Sequence, residues 1–290
     1  MKKINVLLLF LILLCLGAFF GYRTWDALRT DTDAPEIQVP QEVLELSVEE
    51  PRTALLQGIT ASDGKDGDVT ASLVVESVTL LDTDGTISVS CAAFDRAGNV
   101  AKAVRTVRYT DYEGPRFTMI EPLAYPLNSG FDVLSTVGAW DALDGDIQHR
   151  VRATALEEGS IAVAGTHYVQ FQVTNSLGDT ATEVFPVDVY PAGEYDATLT
   201  LTDYIVYIEK GERFSVSDYL DTFTLRDEET LLENGLPRNF TLKTSGTVDT
   251  GTPGAYSMEI RVTYTDRHAI NSELDRQYTG YSKLIVVVEG

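Results

Sequence analysis

The chain has 290 residues, 44% of them hydrophobic, with 44 Asp and Glu against 22 Lys and Arg and a formal net charge of −22 at pH 7. That apolar content is ample for folded cores and excludes wholesale disorder. The acidic balance repels nucleic acid and anionic lipid, so nucleic acid is excluded as a partner, while solubility and cation accumulation are favoured.

Lys2 and Lys3 precede an apolar run from Ile4 to Tyr22 in which Asn5 is the strongly polar member. A helix of that length reaches about 28 Å, close to the hydrocarbon thickness of a bilayer. Residues 1–22 are therefore expected to form a cytoplasmic tip and a single-pass signal anchor, giving a cell-membrane protein with its C-terminal ectodomain outside. The rival is secretion after cleavage at Ala18, where Leu16 fits the small-residue pattern poorly; lipidation at Cys15 is disfavoured by Leu14 before it. Residues 23–33 read as a juxtamembrane spacer. Cys91 is the lone cysteine beyond the anchor, so no intrachain disulfide can form there, which points to a bacterial surface protein held by packing alone.

From Pro35 onward, short apolar alternations are separated by Gly, Asp, Asn and Pro, the pattern of an all-β sandwich. Asp63-Gly-Lys-Asp66-Gly67-Asp68-Val69 recurs as Asp141-Ala-Leu-Asp144-Gly145-Asp146-Ile147, and Asp95-Arg-Ala-Gly98-Asn99 as Asn175-Ser-Leu-Gly178-Asp179. Pro35 and Pro115 lie 80 residues apart, the same period, which marks one domain copied in tandem. Thr86–Phe94 reads as a half-buried strand with Ile87, Val89, Cys91 and Ala93 inward, after an Asp84-Gly85 turn. Its equivalent, Thr166–Thr174, places His167, Val169, Phe171 and Val173 inward. Final strands are expected at Val104–Thr110 and Val184–Tyr190, with Pro186 marking a sheet edge or bulge. A third, less regular module alternates over Met258, Ile260, Val262 and Tyr264 and ends on Tyr281–Val288. The fold class is thus all-β: three tandem Ig-like sandwiches over residues 34–112, 113–191 and 194–290, after the N-terminal helix.

The order D-x-x-D-G-D-[VI], G-T-x-x-V, D-x-x-G-N, strand and Pro-led linker resembles bacterial immunoglobulin-like repeats of surface proteins and of an insecticidal crystal toxin, related to hyalin-repeat domains. Module one matches best; module two departs at Asn175 and Asp179, and module three keeps the second half alone. The resemblance implies a sandwich fold and a surface or adhesive role, with no single activity to carry over.

One constellation bears on chemistry. Strand parity places the Asp63, Asp66 and Asp68 loop at the same pole as the Asp95 turn. In module two it places Asp141, Asp144, Asp146, Asn175 and Asp179 together beside the linker carboxylates Asp111 and Glu113. Ca²⁺ takes six to eight oxygens at about 2.3–2.6 Å, and converging carboxylates could supply them. The competing reading is structural, since Asp and Gly are good turn formers and Asp68 or Asp146 can bond its own loop. The spacing is not that of an EF-hand. His149, His167 and His268 are scattered, and no nucleophile motif, phosphate loop or paired-cysteine motif occurs, so no enzyme is expected. The expected function is a spacer, adhesion or ligand-binding module recognising a surface protein or glycan. The alternatives are an accessory subunit of an envelope complex or extracellular enzyme, and a calcium-stiffened stalk.

Overall fold

The structure is a computed structural model of the full chain. It describes all residues except 1, 30, 42, 83, 157–162 and 269–271, and omits the side chains of 2–9, 24, 26–29, 81 and 272. By contacts the chain divides into two compact units, Met1–Tyr112 and Glu113–Gly290.

Lys2–Arg29 forms one helix, α1, which runs into the stretch 23–33 expected to be a spacer and ends within it. Among the described residues no helix is long and apolar enough to cross a membrane. The anticipated transmembrane anchor over residues 4–22 is therefore not supported. Its residues 4–9 have side chains outside those described, and the described apolar part falls short of the roughly 20 residues a span requires. The side chains Phe10, Leu13, Leu14 and Phe20 on this helix are exposed.

The remainder of the first unit is a two-sheet sandwich. Strands β1 (Glu36–Gln38), β3 (Thr60–Asp63) and β4 (Gly67–Asp68) form one sheet. The other takes the order β2–β7–β6–β5, from β2 (Val43–Leu46), β5 (Val74–Asp82), β6 (Thr86–Phe94) and β7 (Val100–Tyr109). β1 pairs antiparallel with β3, while β2 pairs parallel with β7 in the opposite sheet. The first strand is thereby divided between both sheets. β6 has the bounds its alternation predicts, and Ile87, Val89, Cys91 and Ala93 are all fully buried. Cys91 behaves as a small core residue: burial raises its thiol pKa, and its Sγ lies 3.5 Å from the Ala103 carbonyl.

The second unit begins with the same pattern. β8 (Arg116–Met119), β10 (Val137–Asp141) and β11 (Gly145–Asp146) form a sheet opposite β12 (Arg152–Ala155), β13 (Gly165–Thr174), β14 (Thr180–Tyr190) and β9 (Ala124–Pro126). A short helix α2 (Val133–Thr136) leads into β10. β14 pairs parallel with β9 as β7 does with β2. Phe117, Phe171 and Phe185 meet at the centre, with centroids 5.6–6.3 Å apart. Pro186 carries no bulge; β9 covers only Asp188–Tyr190, so β14 is locally an edge at the proline.

Seven further strands complete the second unit: β15 (Ala197–Leu201), β16 (Ile205–Ile208), β17 (Leu220–Leu225), β18 (Glu228–Leu231), β19 (Phe240–Ser245), β20 (Gly254–Asp266) and β21 (Arg276–Val288). They form one sheet ordered β18–β17–β15–β21–β20–β19, with β16 also on β21. β21 serves two cores. Leu284, Val286 and Val288 pack with Leu199, Phe223 and Ile260. Ile285 and Val287 pack instead with Phe117, Phe171 and Phe185. A strand buried on both faces reads as a continuous apolar run rather than an alternation.

Candidate metal centre

In the first unit the loop between β3 and β4, the turn between β6 and β7 and the segment after α1 converge. Asp31, Asp63, Asp66 and Asp95 each offer one carboxylate oxygen, and these four atoms lie within 4.8 Å of one another. Two ligands facing each other across a Ca²⁺ ion at about 2.4 Å would be separated by about that distance.

Local backbone bonding orients each group. Asp63 Oδ1 accepts the Lys65 and Asp66 N–H groups, both at 2.8 Å, which closes the acidic loop. Asp66 Oδ2 accepts the Arg96 N–H at 2.8 Å, joining that loop to the opposite turn. Asp95 Oδ1 accepts the Asn99 N–H at 2.8 Å and its Oδ2 accepts the Asn99 side-chain amide at 2.7 Å. Asn99 Nδ2 also donates to the Asp31 carbonyl at 3.2 Å, which fixes that segment over the loop. Burial of Asp95 would raise its carboxyl pKa. Hydrogen bonds from the Asn99 side chain and N–H, then from Gly98 and Ala97, outweigh this and hold it below the usual range.

Two cations approach the group: Lys65 Nζ lies 3.5 Å from Asp31 Oδ1 and Arg96 Nη1 lies 3.6 Å from Asp66 Oδ1. Their side chains are 47% and 86% exposed, so solvent screens both contacts strongly. Four carboxylates against two such side chains leave a formal charge of −2, which one divalent cation would balance. An all-oxygen, all-carboxylate donor set suits a hard cation such as Ca²⁺.

The corresponding loop in the second unit has the same backbone and different chemistry. Asp141 is fully buried, and its Oδ1 accepts the Leu143 and Asp144 N–H groups at 3.0 Å. Its Oδ2 accepts the side-chain amide of Asn175, also at 3.0 Å. Asp144 receives Arg150 Nη1 at 2.8 Å, the Ser176 N–H at 2.6 Å and the Ser176 hydroxyl at 2.7 Å. Protein donors reach the carboxylates in both copies, and the second adds the Asn175 amide where the first sets Asp95.

The other candidates lie outside the cluster. Asp68 and Asp146 accept the Thr70 and Gln148 N–H groups at 2.9 Å, closing the short 3₁₀ turns after their loops. The Thr70 hydroxyl and N–H lower the Asp68 carboxyl pKa. Asp111 accepts the Ser47 hydroxyl at 2.6 Å and the Val48 N–H at 2.8 Å, which lower its pKa. Glu113 pairs with Arg116 at 2.9 Å. Asp179 takes the Asn99 position of the repeat and accepts the Thr180 N–H at 2.9 Å. Asp31 is the member that strand parity missed. The repeat offered a signal for it, since Asp31 stands 80 residues before the candidate Asp111.

No family model matches the chain. An uncharacterized 81.3 kDa protein of Acholeplasma phage L2 is 28% identical over 123 residues, which are 42% of this chain and 15% of the phage protein. Among solved structures, the chain is similar to CBM51-2 with GlcNAc and INT domains of ZmpB from Clostridium perfringens, at 16% identity and a TM-score of 0.22. That match covers 87% of this chain and 44% of the other. EC22-24 of mouse cadherin-23 matches at 11% identity and a TM-score of 0.21, over 89% of this chain and 99% of that one.

Proposed function

We propose that the chain is a non-catalytic extracellular binding or adhesion module whose first unit holds a calcium ion. The supporting observation is the convergence of Asp31, Asp63, Asp66 and Asp95 on one point, in a repeat whose second copy replaces Asp95 by Asn175 and satisfies its carboxylates internally. The ion would join three separate stretches of chain: the segment after α1, the acidic loop and the turn after β6. It would thereby stiffen that pole of the sandwich. A surface protein or a glycan is the class of partner such a module presents itself to.

Calcium titration with thermal melting of the full chain tests the metal assignment. A ligand that binds the folded state alone stabilises it by about 2.7 kcal/mol at a hundred times its dissociation constant. The expected result is a rise in melting temperature that saturates with calcium and reverses on chelation. An unchanged melt at millimolar calcium would rule the site out.

A further inference from the structure

A buried lysine and a buried aspartate in the second unit stand in direct contact between the sheet of β21 and the sheet of β14. Lys283 on β21 is 2% exposed, and its Nζ lies 2.6 Å from Oδ2 of Asp188 on β14. The Tyr281 hydroxyl donates to the same Oδ2 at 2.7 Å, and the Thr166 hydroxyl donates to Oδ1 at 2.8 Å. Nζ also donates to the Pro186 carbonyl at 3.1 Å, which holds it over β14. Lys283 shares its side of β21 with Ile285 and Val287, whose side chains enter the phenylalanine core. Burial pushes the ammonium toward the neutral amine, and the Asp188 charge opposes that.

We propose that Lys283 and Asp188 condense to an intramolecular amide that ties β14 covalently to β21. One proton passes from Nζ to Oδ2, which frees the lone pair on the nitrogen. The amine nitrogen then attacks Cγ and forms the N–C bond. Negative charge gathers on Oδ1, where the Thr166 hydroxyl already points. The Cγ–Oδ2 bond breaks, and Oδ2 leaves as water with the first proton and a second one from Nζ. One ammonium and one carboxylate become one amide and one water, with no oxidant and no cofactor. Fixed contact between the reacting groups replaces the entropy that a bimolecular condensation would lose. The product would reinforce the shared strand in a chain whose two cysteines are both free.

Mass spectrometry of the purified full chain under denaturing conditions tests this directly. The expected mass is lower than the sequence mass by one water, and a protease digest yields a joined peptide carrying both Asp188 and Lys283. Lys283→Arg keeps the positive charge but cannot form the amide, so its mass equals its own sequence mass. Recovery of the Asp188 and Lys283 peptides as separate, unmodified species from the parent chain would overturn the proposal and leave an ion pair. Because that reading comes from the parent chain, a variant that fails to fold does not affect it.

Discussion

The side-chain amide of Asn175 donates to Asp141 Oδ2 at 3.0 Å, at the repeat position where the first unit sets Asp95 against Asp63. One amide N–H thus takes the place that four converging carboxylates leave for a cation. The substitution Asp95→Asn should therefore convert the first unit to the second unit's chemistry. Calcium binding by isothermal titration calorimetry should be lost. Stability in chelator should fall, because Asp95 Oδ2 accepts the Asn99 side-chain amide and the fold favours its carboxylate. Retained calcium binding in the variant would place the ion elsewhere.

The reverse change should be damaging. Asp141 is fully buried and Asn175 is 5% exposed. Asn175→Asp would remove a donor to a charged acceptor and set two buried carboxylates face to face, at a cost of about 2–3 kcal/mol. Arg150 and Ser176 still occupy Asp144, so calcium should restore little. The denaturant midpoint of the second unit, measured with and without calcium, checks both parts.

Much of the fold was legible because the physics is local. Period-two alternation identified β6 to the residue, and the acidic loops fixed two copies in register. Asp31 was hidden because a residue outside the strand pattern offers no periodicity, and it is placed by a long-range bond from Asn99. The double burial of β21 was written in the unbroken run Leu284–Val288, which an alternation-based reading treats as an ordinary strand. Arg105 was invisible for the opposite reason. It stands at a core-facing position of β7, 2% exposed, where its guanidinium reaches the Gln57 carbonyl at 2.7 Å. A charge at an inward position looks like a break in pattern until the turn it satisfies is known.

Tyr207 closes an open sheet edge. β8 is the outer strand of its sheet, and the Tyr207 hydroxyl accepts the Phe117 N–H at 2.8 Å and donates to the Phe117 carbonyl at 3.3 Å. Phe117 is 1% exposed. Tyr207→Phe would leave both backbone groups without the hydroxyl, costing about 1–3 kcal/mol. Chemical denaturation should show that loss with an unchanged slope, and hydrogen exchange should quicken at Phe117. A variant as stable as the parent, with Phe117 equally protected, would show that the hydroxyl contributes nothing to the edge.

The lowered carboxylates and the raised tyrosines should act at opposite ends of the pH scale. Asp95, Asp68 and Asp111 in the first unit have carboxyl pKa values lowered by hydrogen bonds. An unfolded Asp titrates near pH 3.9. Their stabilisation is therefore present above about pH 4 and lost as the pH falls through the lower folded values. In the second unit, Tyr125, Tyr190, Tyr204, Tyr207 and Tyr281 all have raised pKa values, with burial the largest cause in each. An unfolded tyrosine titrates near pH 10. Their contribution is complete below that pH and is lost as the pH rises toward the folded values, because the unfolded chain ionises first. As a free amine Lys283 acts with the opposite sign, since its folded pKa is lowered and its charge-burial penalty eases as the pH rises; the amide proposed above removes it from the titration. Five tyrosines outweigh one lysine. Tyrosinate absorbance should therefore show these groups ionising together with the loss of β-sheet circular dichroism, above the pH at which exposed tyrosines titrate. Simple titration near pH 10 with the sheet signal intact would contradict the burial of these hydroxyls.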